Sequence, residues 1–166
     1  MELGSLFEVT GWDIVLIALL LVLVYRWWSR RENPELIPPS PPKLEPMPMQ
    51  DMTLEDLSKY NGRDEPRILL SVNYSIYDVT RGANFYGPGG PYADLAGHDA
   101  TRALAVMDPK AVSAEWDEHA DFTPSQKDSA NEWEDSFKYK YAKVGQLVKS
   151  EGDKKEYAGK MAGISA

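Results

Sequence analysis

Residues 85–99 read FYGPGGPYADLAGHD, and the first eight positions hold three glycines, two prolines and two tyrosines. Glycine permits positive φ and close backbone approach, and proline fixes φ. The composition therefore predicts a rigid, irregular loop, neither helix nor strand. Loops braced on a scaffold carry function more often than the elements they join. Glycines beside Tyr86 and Tyr92 suit a flat ligand, because the backbone can approach its face. The same composition would also serve a tight surface connection with two packed tyrosines.

Upstream of this loop the pattern is that of a small sheet. Residues 68–72 are apolar and β-rich, Asn73 and Tyr74 offer a turn, and 75–79 return as a second strand. Alternation puts Ile76 and Asp78 on one face and Tyr77 and Val79 on the other. Thr53 followed by Leu54-Glu55-Asp56-Leu57 is a helix start, a hydroxyl cap with acids in the first turn, and Asn61-Gly62 ends that helix. Downstream, Asp99 is placed to cap a helix over 100–106. The acidic stretch 112–121 reads as short helix and loop. Thr123-Pro124 opens a helix to about Phe137. Residues 139–148 read as extended, with Tyr141, Val144 and Leu147 inward, and from Ser150 the chain is polar and is expected to be loose.

The N-terminal part is organised differently. Residues 14–25 carry no charge and no helix breaker. Those twelve positions fall short of the ~20 needed to cross a bilayer, but Trp12, Trp27 and Trp28 extend the run with residues that favour the membrane interface. The flanks do not fit a cleaved signal peptide, so an uncleaved anchor over 6–28 is expected. Arg26, Arg30 and Arg31 on its C-terminal side direct the rest of the chain to the cytosol. Seven prolines between Pro34 and Pro48 favour an extended spacer. The expected organisation is an anchor and basic flank over 1–31, a proline-rich linker over 32–51, a folded domain over 52–149 and a flexible tail over 150–166.

Composition closes several functional classes. The net charge of −8 is the wrong sign for a nucleic-acid partner. With no cysteine there is no disulfide, thiolate metal site or cysteine nucleophile. Two histidines, His98 and His119, cannot build a multi-histidine metal centre, and both read as surface polar residues. No nucleophile–base constellation is present, so an enzyme is not expected.

The runs Thr53-Leu54-Glu55-Asp56-Leu57, Arg67-Ile68-Leu69-Leu70, Tyr77-Asp78-Val79-Thr80-Arg81-Gly82 and FYGPGGPYADLAGHDATRALA together resemble the cytochrome b5-like domain of the membrane-associated progesterone receptor family. The resemblance covers about 52–147. It implies an α+β fold, a small mixed sheet with helices forming a haem pocket, after an N-terminal transmembrane helix. It also implies a ferric, five-coordinate b-type haem held by one tyrosinate at Tyr92. Tyr86 would lie against the haem face, and Lys140 and Tyr141 would contact it near the propionates. True cytochrome b5 carries an axial histidine before Pro-Gly-Gly, where this chain has Gly87. Electron transfer of that type is therefore the weakest reading.

What the family implies beyond the site is a haem-dependent homodimer and association with membrane proteins. These include haem-thiolate mono-oxygenases of the endoplasmic reticulum and cell-surface or guidance receptors, with the plasma membrane as a further location. A steroid or sterol ligand, in a protein that works without haem, remains an open alternative. The position of a phosphorylatable tyrosine in some relatives is Trp116 here.

Overall fold

The computed structural model describes residues 11–32 and 44–163. The chain forms two compact units, Met1–Ser40 and Pro41–Ala166. In the first, helix α1 spans Gly11–Glu32. The anchor expected over 6–28 begins outside the described residues, and 33–43 of the linker lie outside them too. Among the described residues no helix is long and apolar enough to cross a membrane. Ile17, Leu19, Leu20, Leu21, Val22, Leu23 and Val24 on α1 are all at least half exposed.

The second unit is α+β. Helix α2, Leu54–Ser58, starts where the sequence places it: Thr53 accepts from the Asp56 N–H, and the Asp56 carboxylate accepts in return from the Thr53 N–H. Such a reciprocal box satisfies two otherwise orphaned donors. Strands β1, Leu69–Val72, and β2, Ser75–Asp78, pair antiparallel. Asn73 and Tyr74 between them both adopt positive φ, 47° and 60°. That is the two-residue hairpin geometry whose twist matches the strands. Strand β3, Ala142–Gln146, adds antiparallel to β2 with an irregularity between Ile76 and Tyr77. The sheet order is β1-β2-β3. Among the described residues parallel pairing, which a mixed sheet would need, occurs only as isolated bridges, Met52 with Leu147 and Ser71 with Asp99.

Each sheet face is buried under its own cluster. Leu70, Val72, Tyr77 and Val79 pack with Leu95, Leu104 and Phe137. Leu69, Ile76 and Val144 pack with Met47, Met52, Leu57 and Leu147. This is the alternation expected of strands whose successive side chains point to opposite faces.

Three expectations are corrected. The helix opened by Thr123-Pro124 (α5, Pro124–Lys140) runs through Lys138, Tyr139 and Lys140. Basic residues in a last turn are favoured by the helix dipole, so extended structure begins only at Ala142. The segment 112–121 contains no helix. It is tied down instead by Arg102, whose guanidinium donates to Asp117 and Asp121.

The tail expected to be loose from 150 folds back. Asp51 accepts from the Tyr157 hydroxyl and from the N–H groups of Gln146 and Lys155, and Lys154 pairs with Asp56 at 2.6 Å. Met49 donates to the Lys160 carbonyl and Ala162 to that of Met47. Residues 47–51, read as the end of the linker, therefore belong to the domain, clasped between β3 and the tail.

Candidate functional site

The glycine-rich loop is shorter than its composition suggests. Phe85 and Tyr86 belong to a single helical turn, α3, Ala83–Tyr86, which Gly87 ends by donating to the Ala83 carbonyl at 2.8 Å. The irregular part is 87–92. Gly90 donates to the Gly87 carbonyl, and Tyr92 to the Phe85 carbonyl at 2.9 Å, so the loop closes back on α3. Two glycines are dictated by space. A Cβ on Gly87 would sit 2.5 Å from the Ala83 oxygen, and one on Gly90 would sit 2.4 Å from the Phe85 oxygen. Gly89, at φ 84°, is dictated by conformation.

This closure brings Tyr86 and Tyr92 together, with ring centroids 6.3 Å apart. Both line a cleft of about 180 Å³ whose other walls are Leu95, Ala103, Leu104, Met107, Pro109 and Trp133. Leu95 comes from a 3-10 turn, Ala93–Leu95, and Ala103 and Leu104 from helix α4, Thr101–Ala105. Asp99 accepts from the Thr101 N–H at 3.1 Å just before α4, but the cap position of that helix is Ala100, with no side-chain cap, so the capping role expected of Asp99 is corrected to a local turn bond. Met107 ends α4 in left-handed conformation, φ 58°, and stands 75% exposed at the cleft.

The two tyrosines differ chemically. Tyr86 is half-buried against Phe137, and its hydroxyl pairs with that of Tyr141. Burial first, and then the charge that an ionised Tyr141 would place beside it, raise the Tyr86 pKa well above the ordinary phenol value, so it stays protonated. Tyr141 is also raised, by burial, against the opposing effects of the Tyr86 bond and the Arg81 charge. Tyr92 is 44% exposed at the rim, and among the described residues its hydroxyl has no hydrogen-bond partner.

Lys140 does not line the tyrosine cleft. It lies with Arg81, Tyr139 and Tyr141 on a separate open cleft of about 450 Å³, connected to the first through the Tyr86–Tyr141 hydrogen bond. Arg81 was not among the residues singled out from sequence. Its signal was its place in Thr80-Arg81-Gly82, where Gly82 has room only for hydrogen: a Cβ there would meet the Tyr141 hydroxyl at 2.9 Å and the Tyr86 ring at 3.1 Å.

His98 and His119 diverge from their expected surface placement. His98 is half-buried, with Nδ1 2.9 Å from the Ala96 carbonyl. The His119 side chain is only 10% exposed, with Nε2 3.5 Å from Asp99 and 3.7 Å from Asp117, and its ring packs on Phe122. Trp116 stacks on Tyr74 at 5.0 Å and 8°. Among the described residues no group of three or more His, Asp or Glu side chains could hold a metal ion.

The residues fit an iron macrocycle with carboxylate arms. They supply an apolar cleft, one unpartnered phenol at its rim, and two cations on the neighbouring cleft. They do not fit an axial histidine at position 87, where no side chain has room.

Comparison with known proteins is consistent with this arrangement. Residues 53–148 match the model of the Cytochrome b5-like Heme/Steroid binding domain. The chain is 50% identical over 157 residues to Protein vem-1 of Caenorhabditis elegans, covering 95% of this chain and 85% of that protein. It is 43% identical to Membrane-associated progesterone receptor component 2 of Rattus norvegicus, covering 87% and 71%. It is 33% identical to Cytochrome P450 regulator dap1 of Schizosaccharomyces pombe, covering 81% and 84%. A solved structure from Arabidopsis thaliana, described as having a cytochrome b5 like fold, matches with TM-score 0.52 and 38% identity, over 59% of this chain and 90% of that one. The chain belongs to the cytochrome b5-like haem/steroid-binding domain family, among the membrane-associated progesterone receptor components.

Proposed function

We propose that the protein is a membrane-anchored haem-binding adaptor, in which Tyr92 is the single axial ligand of a ferric, five-coordinate haem. The observation that carries this reading is the contrast between the two cleft tyrosines. Tyr86 is held protonated and hydrogen-bonded, whereas Tyr92 is unpartnered and half exposed at the rim. Such a group, if bound, would supply a ferric Lewis acid, and the Tyr92 phenolate holding it would favour the oxidised state. Tyr86 would pack against the macrocycle, Tyr141 would orient Tyr86, and Arg81 and Lys140 would offer counter-charge for carboxylate arms. The chain contributes binding and no catalysis of its own.

The proposed setting is a single-pass anchor, with the domain facing the cytosol from the endoplasmic reticulum or plasma membrane. The exposed aliphatic run from Ile17 to Val24 supports it. The proposed partners are haem-thiolate mono-oxygenases, as the name of the fission-yeast relative suggests, or surface receptors. A haem-dependent homodimer is part of the same proposal. Hemin titration of the wild type and Tyr92→Phe, followed by absorbance, tests the ligand. The variant should lose the phenolate charge-transfer band and bind more weakly, and identical spectra and affinities would sink the assignment.

A second reading, a steroid or sterol carrier that works without haem, is favoured by the apolar lining of the Tyr86–Tyr92 cleft. Saturable sterol binding by the haem-free full chain, competed by hemin, would support it.

A further inference from the structure

On the far side of the turn Ala93–Leu95 lies a different cleft, of about 330 Å³. Tyr92 and Leu95 line the apolar cleft, whereas Ala93, Asp94 and Ala96 line this one. Pro88, Val112 and the two alanines supply the apolar part of a mixed lining. The turn at Asn61 and Gly62 packs against Pro88 and holds the wall in place: a Cβ on Gly62 would lie 3.1 Å from the Pro88 ring. Asn61 is fully engaged within its own turn, with Ser58, Arg63 and Asp64.

The rim carries Arg63 and Lys110, 47 residues apart in sequence. Among the described residues neither forms an ion pair. That sets them apart from Arg67, Arg102, Lys149 and Lys154, which all do. His98 is the third group. Its Nδ1 faces the Ala96 carbonyl at 2.9 Å, and a carbonyl can only accept, so Nδ1 carries the proton. In the tautomer that this contact selects, Nε2 is the acceptor nitrogen. Asp94 is the one carboxylate against two cations.

We infer that this cleft is a binding site for a phosphate monoester with a small apolar body. The chemistry selects it over a carboxylate. A phosphate monoester presents oxygens that accept from Arg63 and Lys110. With a second pKa near ~6 it also keeps, in part, a P–OH that can donate to His98 Nε2 or to Asp94. A carboxylate offers only acceptors, which leaves Nε2 and Asp94 unanswered. Pro88, Ala93, Ala96 and Val112 receive the organic body. Because the turn Ala93–Leu95 is a wall of both clefts, an occupant here bears directly on the segment that follows Tyr92.

The test is a titration of the full chain in detergent micelles with phenyl phosphate and with inorganic phosphate, followed by NMR at the His98 ring and the Asp94 and Ala96 amides. Saturable shifts at all three are expected, with phenyl phosphate binding more tightly because its ring also meets Pro88, Ala93, Ala96 and Val112. Arg63→Gln and Lys110→Gln should each weaken binding about tenfold, the scale of one charged hydrogen bond. Both side chains are exposed, so both variants should fold. Lys127→Gln, on α5, should leave the affinity unchanged. The inference is overturned if the shifts do not saturate, if inorganic phosphate and phenyl phosphate bind equally, or if Lys127→Gln weakens binding as much as the cleft variants.

Discussion

The Tyr86 and Tyr141 rings meet nearly edge-on, 6.3 Å between centroids and 80° between planes, and their hydroxyls pair. The bond joins α3 to the residue that follows α5, so one cleft tyrosine is braced by an element from the other end of the domain. Gly82 makes the approach possible by having no side chain. The other cleft tyrosine, Tyr92, is held through its backbone, donating to Phe85 and accepting from Leu95, while its hydroxyl has no partner among the described residues.

Tyr141→Phe should therefore act on Tyr86 before it acts on any ligand. It leaves the Tyr86 hydroxyl without its partner in a half-buried setting, which costs about 1 kcal/mol. We predict a small loss of thermal stability in the haem-free protein and a several-fold weaker hemin affinity with the charge-transfer band retained. A variant that loses that band would move the ligand role from Tyr92 to Tyr141.

Gly87→His tests whether a histidine at this place can restore a cytochrome b5-type ligand. A Cβ there falls 2.5 Å from the Ala83 carbonyl oxygen that closes α3. The clash is with backbone, so α3 or the loop must move. We predict a loss of about 1–3 kcal/mol in chemical unfolding, typical of overpacking, and no six-coordinate low-spin spectrum with hemin. A stable variant with a low-spin spectrum would refute this account of Gly87.

Gly145→Ala probes the clasp. A Cβ on Gly145 would lie 1.9 Å from the Gln50 carbonyl oxygen, so residues 48–52 could not stay beside β3. Hydrogen exchange should quicken at Gln50, Met52 and Ala162, whose N–H groups bond across this region. Protection at Leu70 and Tyr77 in the sheet should change less. Unchanged exchange at Gln50 would show that the clasp does not depend on this contact.

Acid should loosen the segment that Arg102 ties down. The Arg102 guanidinium holds the Asp117 carboxyl down at about 2, so its stabilising effect is complete above the unfolded carboxylate value of ~3.9. It is lost as pH falls from there through about 2. Asp99 works in the opposite sense, because burial raises its pKa. Asp117→Asn should flatten the stability-versus-pH curve between about pH 4 and 2 relative to wild type. The fluorescence of Trp116, stacked on Tyr74 whose hydroxyl donates to the Asp117 carbonyl, is a local readout. An identical acid limb in both proteins would remove Asp117 from this role.

What could be read in the sequence was whatever is written locally. The helix starts at Thr53 and Thr123, the Asn73-Tyr74 hairpin and the two-faced alternation of β1 and β2 depend on neighbours within a few residues, and they stand where expected. The aromatic pair Tyr86 and Tyr92 was legible for the same reason, since Gly87 to Pro91 can only turn the chain back on itself. The tertiary structure decided what local chemistry leaves open. The tail looked loose because its polar residues have no nearby partners, and only the fold sets Tyr157 against Asp51 and Lys154 against Asp56. His119 looked like a surface residue until the segment carrying it was drawn against Asp99 and Phe122. The extension of α5 moved Lys140 off a strand and into the company of Arg81. In each case the deciding contact joins residues far apart in the chain, and such a contact exists only once the sheet and helices have been packed.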